Sequence, residues 1–326
     1  MELVSFPGNP APPGGVASTV VTADGIRLRA AVWRPPGARR GTVCLLQGRA
    51  EAIEKYYEVI GELLGRGFAV ATLDWRGQGG SERRLPDPAK GHVDDFAEYD
   101  RDLEAFMRQA ALPDCPPPFY ALAHSTGGLV ALRAATRTRL VFDRLVTTGP
   151  LLGLGAVYPS TALVRRLATL GVLFGLGDRG LGALRPGRRA APGFEGNPLT
   201  GDRARYDRTL ALMQAAPQLF VGAPTVGWLQ AATAAMRAAE RPDFAAALKV
   251  PVLVVAAGED RIVSNRAIER FGRTLRIGRA VILPGAQHEI LMERDRIRAL
   301  FWAAFDAFVP GEAGAGQPAR ASSAAS

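Results

Sequence analysis

The chain is predicted to be an α/β protein, with a mainly parallel central sheet, helices on both faces and an inserted helical segment. Three observations carry this. Short apolar runs, several rich in β-branched residues, recur at 42–46, 68–73, 119–123, 144–148, 252–257 and 280–283, separated by stretches of helical length. That is the rhythm of parallel strands covered on both faces. The rhythm stops between about residues 149 and 247, where Leu, Ala, Gly and Arg at helical spacing replace it. Finally, 326 residues with 48% hydrophobic against 22% charged are enough for a large core, and one α/β domain with an insertion accommodates that length.

Each element follows from local pattern. Residues 20–22 and 26–33 flank Ala23-Asp24-Gly25, where Asp-Gly supplies the positive φ of a tight hairpin turn, so the sheet opens with an antiparallel pair. A helix is expected over 53–64. Another is expected over 93–110, where Val93, Phe96, Leu103, Phe106 and Met107 recur at near-helical spacing, and an apolar helix over 129–135. The domain plan is an N-terminal extension at 1–17, a first core part at 18–148, a helical cap at 149–247 and a second core part at 248–309. Residues 310–326, rich in Pro, Gly, Ala and Ser, are expected to be a disordered tail.

A formal charge of +9 raises nucleic acid as a partner. Only Lys55, Lys90 and Lys249 are lysines, and no basic run of five interleaved with aromatics occurs, which argues against it. Two cysteines, Cys44 and Cys115, do not make a disulfide framework. The first thirteen residues lack the basic start and apolar stretch of a signal peptide, and no apolar run reaches the ~18 residues of a membrane span. The expectation is a cytoplasmic protein, with peripheral contact at an anionic inner-membrane surface as its one membrane option.

The chemistry is concentrated at strand ends. The 119–123 strand runs into His124-Ser125-Thr126-Gly127-Gly128 and then an apolar helix, the strand-turn-helix setting of a nucleophile elbow. A sharp turn needs small residues two before and two after the nucleophile, places filled by Ala123 and Gly127; Ala stands where the usual pattern has Gly. A loop with a helix-capping Ser is the plainer alternative.

A serine hydroxyl needs a base to take its proton. Of three histidines, His124 is adjacent to Ser125 and its side chain is expected to point the other way, as a packing residue. His92 precedes the 93–110 helix and suits a structural hydrogen bond near that helix start. His288 follows the last strand in a glycine-containing loop, at the sheet edge where ligands gather in such folds. The acid that orients it is expected after the 252–257 strand, in Gly258-Glu259-Asp260, with Asp260 preferred over Glu259. Two backbone N–H groups are expected to stabilise a developing oxyanion: that of Thr126, and that of Arg49 in the loop after the first central strand.

The set Leu45-Leu46-Gln47-Gly48-Arg49-Ala50-Glu51, Asp74-Trp75-Arg76-Gly77-Gln78-Gly79-Gly80-Ser81, Ala123-His124-Ser125-Thr126-Gly127-Gly128, Gly258-Glu259-Asp260 and Gln287-His288-Glu289 resembles bacterial lysophospholipases related to monoacylglycerol lipases. The resemblance spans roughly residues 18–308. It implies the α/β-hydrolase fold, a serine hydrolase acting on a lipid ester through an acyl-enzyme on Ser125, no metal or organic cofactor, and a structural role for the loop 74–81. Gln47 stands where many relatives have His. Thioesterase, aminopeptidase and haloperoxidase activities, and a binding module without turnover, are the alternatives this fold supports.

The cap holds eleven arginines against six acids, together with an apolar series: Leu163, Leu167, Leu170, Val172, Leu173, Phe174 and Leu176. That series either packs the cap on the core, lines an acyl pocket or lies on an anionic surface. A basic lid over an apolar pocket suits one fatty chain and a phosphate headgroup.

Overall fold

The computed structural model describes residues 2–37, 40–137, 142–181 and 193–310. Strands β1 (Gly15–Val21), β2 (Arg27–Trp33), β3 (Thr42–Leu46), β4 (Ala69–Leu73), β5 (Phe119–His124), β6 (Arg144–Thr148), β7 (Val252–Ala257) and β8 (Gly278–Leu283) form one sheet in the order β1-β2-β4-β3-β5-β6-β7-β8. β1 and β2 pair antiparallel, as do β2 and β4; every later pairing is parallel. Gly25 adopts φ +83° in the hairpin turn, the conformation its lack of a Cβ makes cheap.

β3, β4, β5 and β7 are buried along their whole length, so neither face alternates with solvent. Alternation instead assigns successive side chains to two cores. Val43 and Leu45 meet helices α1 (Tyr57–Gly65) and α10 (Asp295–Phe308) through Val59, Ile60, Leu63, Phe301 and Phe305. Cys44 and Leu46 face the other side, against α2 (Ala97–Phe106) and α4 (Ser125–Ala135), through Leu103, Phe106, Leu129 and Leu132. Both cysteines are free and buried.

Several boundaries differ from the sequence expectations. β1 begins at Gly15, inside the presumed extension, because the hairpin continues for seven paired residues. The 53–64 segment starts with a 3₁₀ turn, Ile53–Tyr56, ahead of α1. The 93–110 segment becomes helical only at Ala97; past α2 it continues as a wider π turn, Met107–Ala111, then a single turn α3 (Leu112–Asp114). Val93 and Phe96 are buried in the loop that leads in.

Residues ahead of β1 are tied to the core: Glu54 accepts from Val4 N–H, and its carbonyl from Asn9 Nδ2. That carboxylate also pairs with Arg29, which pairs with Asp74 as well, all three side chains being at most 2% exposed. Losing one member of such a network leaves a buried charge uncompensated, typically a cost of about 3–5 kcal/mol.

Between β6 and β7 lie α5 (Thr161–Leu173), α6 (Arg203–Ala215), α7 (Val226–Ala239) and α8 (Pro242–Ala246). α5 packs on α7, yet only Ala168 of α5 is buried. Leu163, Leu167, Leu170, Val172, Leu173, Phe174 and Leu176 are all exposed, so this series does not pack the insertion on the core. α9 (Asn265–Thr274) completes the helical cover. Among the described residues no helix is long and apolar enough to cross a membrane. The tail expected beyond residue 310 lies outside the described residues.

Candidate active site

Ser125 stands where β5 turns into α4, with φ +50°. A non-glycine residue there is strained by sterics against its own Cβ, and it is held by close packing of the turn. A Cβ on Gly127 would lie 2.4 Å from Gln47 O and 2.5 Å from Leu46 O, so only glycine lets α4 approach β3. Helix α4 begins at Ser125, four residues before the apolar pattern suggested.

Two loops complete the constellation. Asp260, after β7, accepts at Oδ1 from the amides of Ile262 (2.8 Å) and Val263 (2.9 Å). Its Oδ2 is thereby aimed at His288 Nδ1, 2.8 Å away. The opposite ring nitrogen, Nε2, is 3.1 Å from Ser125 Oγ. Ser125, Asp260 and His288, far apart in the chain, therefore form one hydrogen-bonded line, whereas Glu259 is exposed. Gly149, with φ +48°, lies over the pair: a Cβ would sit 3.2 Å from Nδ1 and 3.3 Å from Oδ2.

The loop after β3 holds the second arm. Gly48 N–H donates to Glu51 Oε2 and Ala50 N–H to Gln78 Oε1. The amide between them, of Arg49, has no acceptor among the described residues, and the Thr126 amide lies in the first turn of α4, where no intrahelical acceptor exists. Both residues line the same cavity as Ser125 and His288. Gln47 points away from it: Nε2 donates to Leu73 O (2.6 Å) and Asp74 Oδ1 (3.0 Å), while its carbonyl accepts from Trp75 Nε1 and Gly127 N–H. Gln47 thus braces the loop from behind, and Asp74 also accepts from Ile53 N–H and Gly80 N–H.

A buried ionic cluster adjoins the cavity and escaped sequence reading. Lys55 Nζ is 2.7 Å from Glu51 Oε1 and 2.6 Å from Glu289 Oε1, and Tyr56 OH donates to Glu51 Oε2. Burial alone would raise the Glu51 pKa, but Lys55 and His124 bring it down to about 2. Burial would lower Lys55, but Glu289 and Glu51 hold it above its ordinary value. The one available signal was a Glu-Lys pair four apart in an apolar stretch.

The other two histidines are settled by contact. His92 bonds Thr225 Oγ1, at the start of α7, and Asp94. His124 is more than a packing residue: its Nδ1 faces Thr148, and its ring centre is 4.8 Å from that of His288. Burial pushes His124 down to about 4, with His288 adding to the effect and Glu51 opposing it. An unfolded His titrates near 6.5, so below that pH the unfolded chain binds the proton that the folded one refuses, and stability falls from about pH 6.5 toward 4. We expect Tm to drop over that window in thermal melts, and the His124→Asn variant to show a shallower slope there.

The cavity has a volume of about 320 Å³. Its walls include Leu151, Leu154, Met213, Phe220, Trp228 and Leu229, all of them from the β6–β7 insertion. No described arginine of that insertion lines it, contrary to the expected basic lid: Arg203, Arg205, Arg208 and Arg241 pair with carboxylates instead, and Arg185, Arg188 and Arg189 lie outside the described residues. The arginine among the lining residues is Arg49, whose guanidinium lies over the ring of Trp228, also a lining residue.

Comparison with known proteins gives the family. The family described as serine aminopeptidase, S33, matches residues 37–295. Lysophospholipase L2 of Escherichia coli is 35% identical over 267 residues, covering 79% of this chain and 77% of the relative. The monoacylglycerol lipase of Mycolicibacterium smegmatis is 27% identical, covering 83% and 89%. The crystal structure of Paleococcus ferrophilus monoacylglycerol lipase superposes with a TM-score of 0.65 at 22% identity, covering 86% and 98%. The chain therefore belongs to the serine aminopeptidase S33 family and has the α/β-hydrolase fold.

Proposed function

We propose that the chain hydrolyses the ester of single-chain lipids, lysophospholipid or monoacylglycerol, through an acyl-enzyme on Ser125. The chain is a carboxylic ester hydrolase. The observation that carries the finer reading is the Ser125–His288–Asp260 line at the wall of an apolar cavity. Ser125 Oγ attacks the ester carbon as His288 Nε2 takes its proton. The oxyanion is met by the amides of Arg49 and Thr126, and the alcohol leaves with the proton from His288. Water, deprotonated by the same imidazole, then frees the fatty acid.

Residues 149–247 act as the cap, since Met213, Phe220, Trp228 and Leu229 supply cavity wall. The two lining carboxylates, Glu51 and Glu289, are ion-paired with Lys55, and the walls from the insertion are mostly apolar. An ester of a fatty acid suits these walls. Burying acyl chain contributes about 0.8 kcal/mol per CH₂, so kcat/KM should climb up to roughly fourfold per added CH₂ until the cavity is full. A flat chain-length profile, with no fatty acid released from lysophospholipid or monoacylglycerol, would overturn the proposal.

The exposed apolar face of α5 and the residues after it, flanked by Arg165 and Arg166, is a surface suited to anionic lipid. Sedimentation should show binding to anionic vesicles that weakens with salt and is lost when Leu167, Leu173 and Phe174 are replaced by Ser. Equal binding to anionic and neutral vesicles at any salt would remove the preference for anionic lipid, and binding to neither would remove the surface contact.

A further inference from the structure

We infer that the Arg49 guanidinium binds the phosphate of the substrate's headgroup and so selects phosphate-bearing single-chain esters over neutral ones. This rests on the ester-hydrolase reading of Ser125 and deepens it, because the group lies in the same cavity.

Arg49 shares the lack of a carboxylate partner with Arg40 and Arg83, which bond backbone carbonyls, but of these three it is the one that lines the cavity. Arg29, Arg76, Arg205 and Arg298 each face two or more carboxylates. Arg49 faces none among the described residues. Its Nη2 donates to Gly222 O at 2.7 Å, its plane lies over Trp228 with the centroid 5.1 Å away, and its Nε is buried without an acceptor. Of the other charged groups that line the cavity, Lys55 lies between Glu51 and Glu289, and neither carboxylate reaches Arg49. The cavity therefore keeps one guanidinium with most of its five donors unspent.

A guanidinium stays protonated, and a partly desolvated cation without a counter-ion is costly unless a ligand provides one. Gly222 and Trp228 fix the group in place while leaving donors open, which suits two-pronged binding of phosphate oxygens. The location suits a glycerophosphoester as well. In such a lipid the phosphate lies three glycerol carbons from the scissile oxygen. In this chain the guanidinium lies one side chain from the amide proposed to meet the oxyanion. The acyl chain would take the apolar walls and the headgroup would fold back onto Arg49.

The test is a ratio. For matched acyl chains, kcat/KM is measured on a lysophospholipid and on a monoacylglycerol with wild type, Arg49→Gln and Arg49→Lys. Arg49→Gln should lower the lysophospholipid-to-monoacylglycerol ratio at least tenfold, mainly through KM, and Arg49→Lys, which keeps the charge but loses the fork and the stacking on Trp228, should restore it only in part. A ratio unchanged in Arg49→Gln, even with both activities reduced, would overturn the inference and leave Arg49 a brace of the loop. Protection of Ser125 from a fluorophosphonate probe by a non-hydrolysable ether lysophospholipid gives a readout that needs no turnover. If wild type cleaves neither lipid but that protection is still lost in Arg49→Gln, the lipase reading fails and the phosphate subsite stands. Equal protection by inorganic phosphate or by free fatty acid at the same concentration would overturn the headgroup assignment.

Discussion

Ser125→Ala is expected to lower kcat for ester hydrolysis on the order of 10⁶-fold, the loss seen when the nucleophile of a comparable triad is removed. The fold should survive it. Ala meets no larger steric penalty than Ser at φ +50°, and the bond lost, to His288 Nε2 at 3.1 Å, joins a side chain that keeps its partner in Asp260. Steady-state kinetics on a long-chain ester, beside a thermal melt within a few degrees of wild type, is the check. Activity within tenfold of wild type in a folded variant would place the chemistry on another group.

Asp260→Asn should cost about 10⁴-fold in kcat, and this structure supplies the reason. Oδ1 accepts from the amides of Ile262 and Val263, so whichever atom of Asn takes that place must be an acceptor. The carboxamide oxygen satisfies this, which turns the NH₂ toward His288 Nδ1. A donor there forces Nδ1 to accept, moves the ring proton to Nε2, and leaves nothing to take the Ser125 proton. The loss should therefore appear in kcat with little change in KM. A KM-dominated defect would show Asp260 to be a substrate contact instead.

Most of the framework was legible because strand burial and strand composition are one fact. The runs at 42–46, 144–148 and 252–257 coincide with β3, β6 and β7, for a strand covered on both faces shows as a short, mostly apolar and β-branched run. Helix starts were less visible. α4 begins on Ser125 because the turn geometry, not apolar spacing, decides its first residue, and α2 waits until Ala97 because Val93 and Phe96 are buried in loop.

Within the site, the order of Ser125, Asp260 and His288 could be read from loops that follow strands, and the structure brings those three together. Groups outside that pattern could not. Glu51, Lys55 and Glu289 find one another only after folding, and the face His124 presents to His288 depends on the strand-to-helix corner. The Arg49 amide was expected from its place in the loop after β3, but its being left free by Glu51 and Gln78 taking the amides on either side is visible only in the fold.

Lys55 sits between Glu51, whose other oxygen holds Gly48 N–H, and Glu289, the residue after His288. One ammonium thus staples the first third of the chain to its last fifth at the point where reacting atoms would meet. The loop that carries the Arg49 amide and the loop that carries His288 are hung from a shared fastening, an ion pair across two segments far apart in the chain.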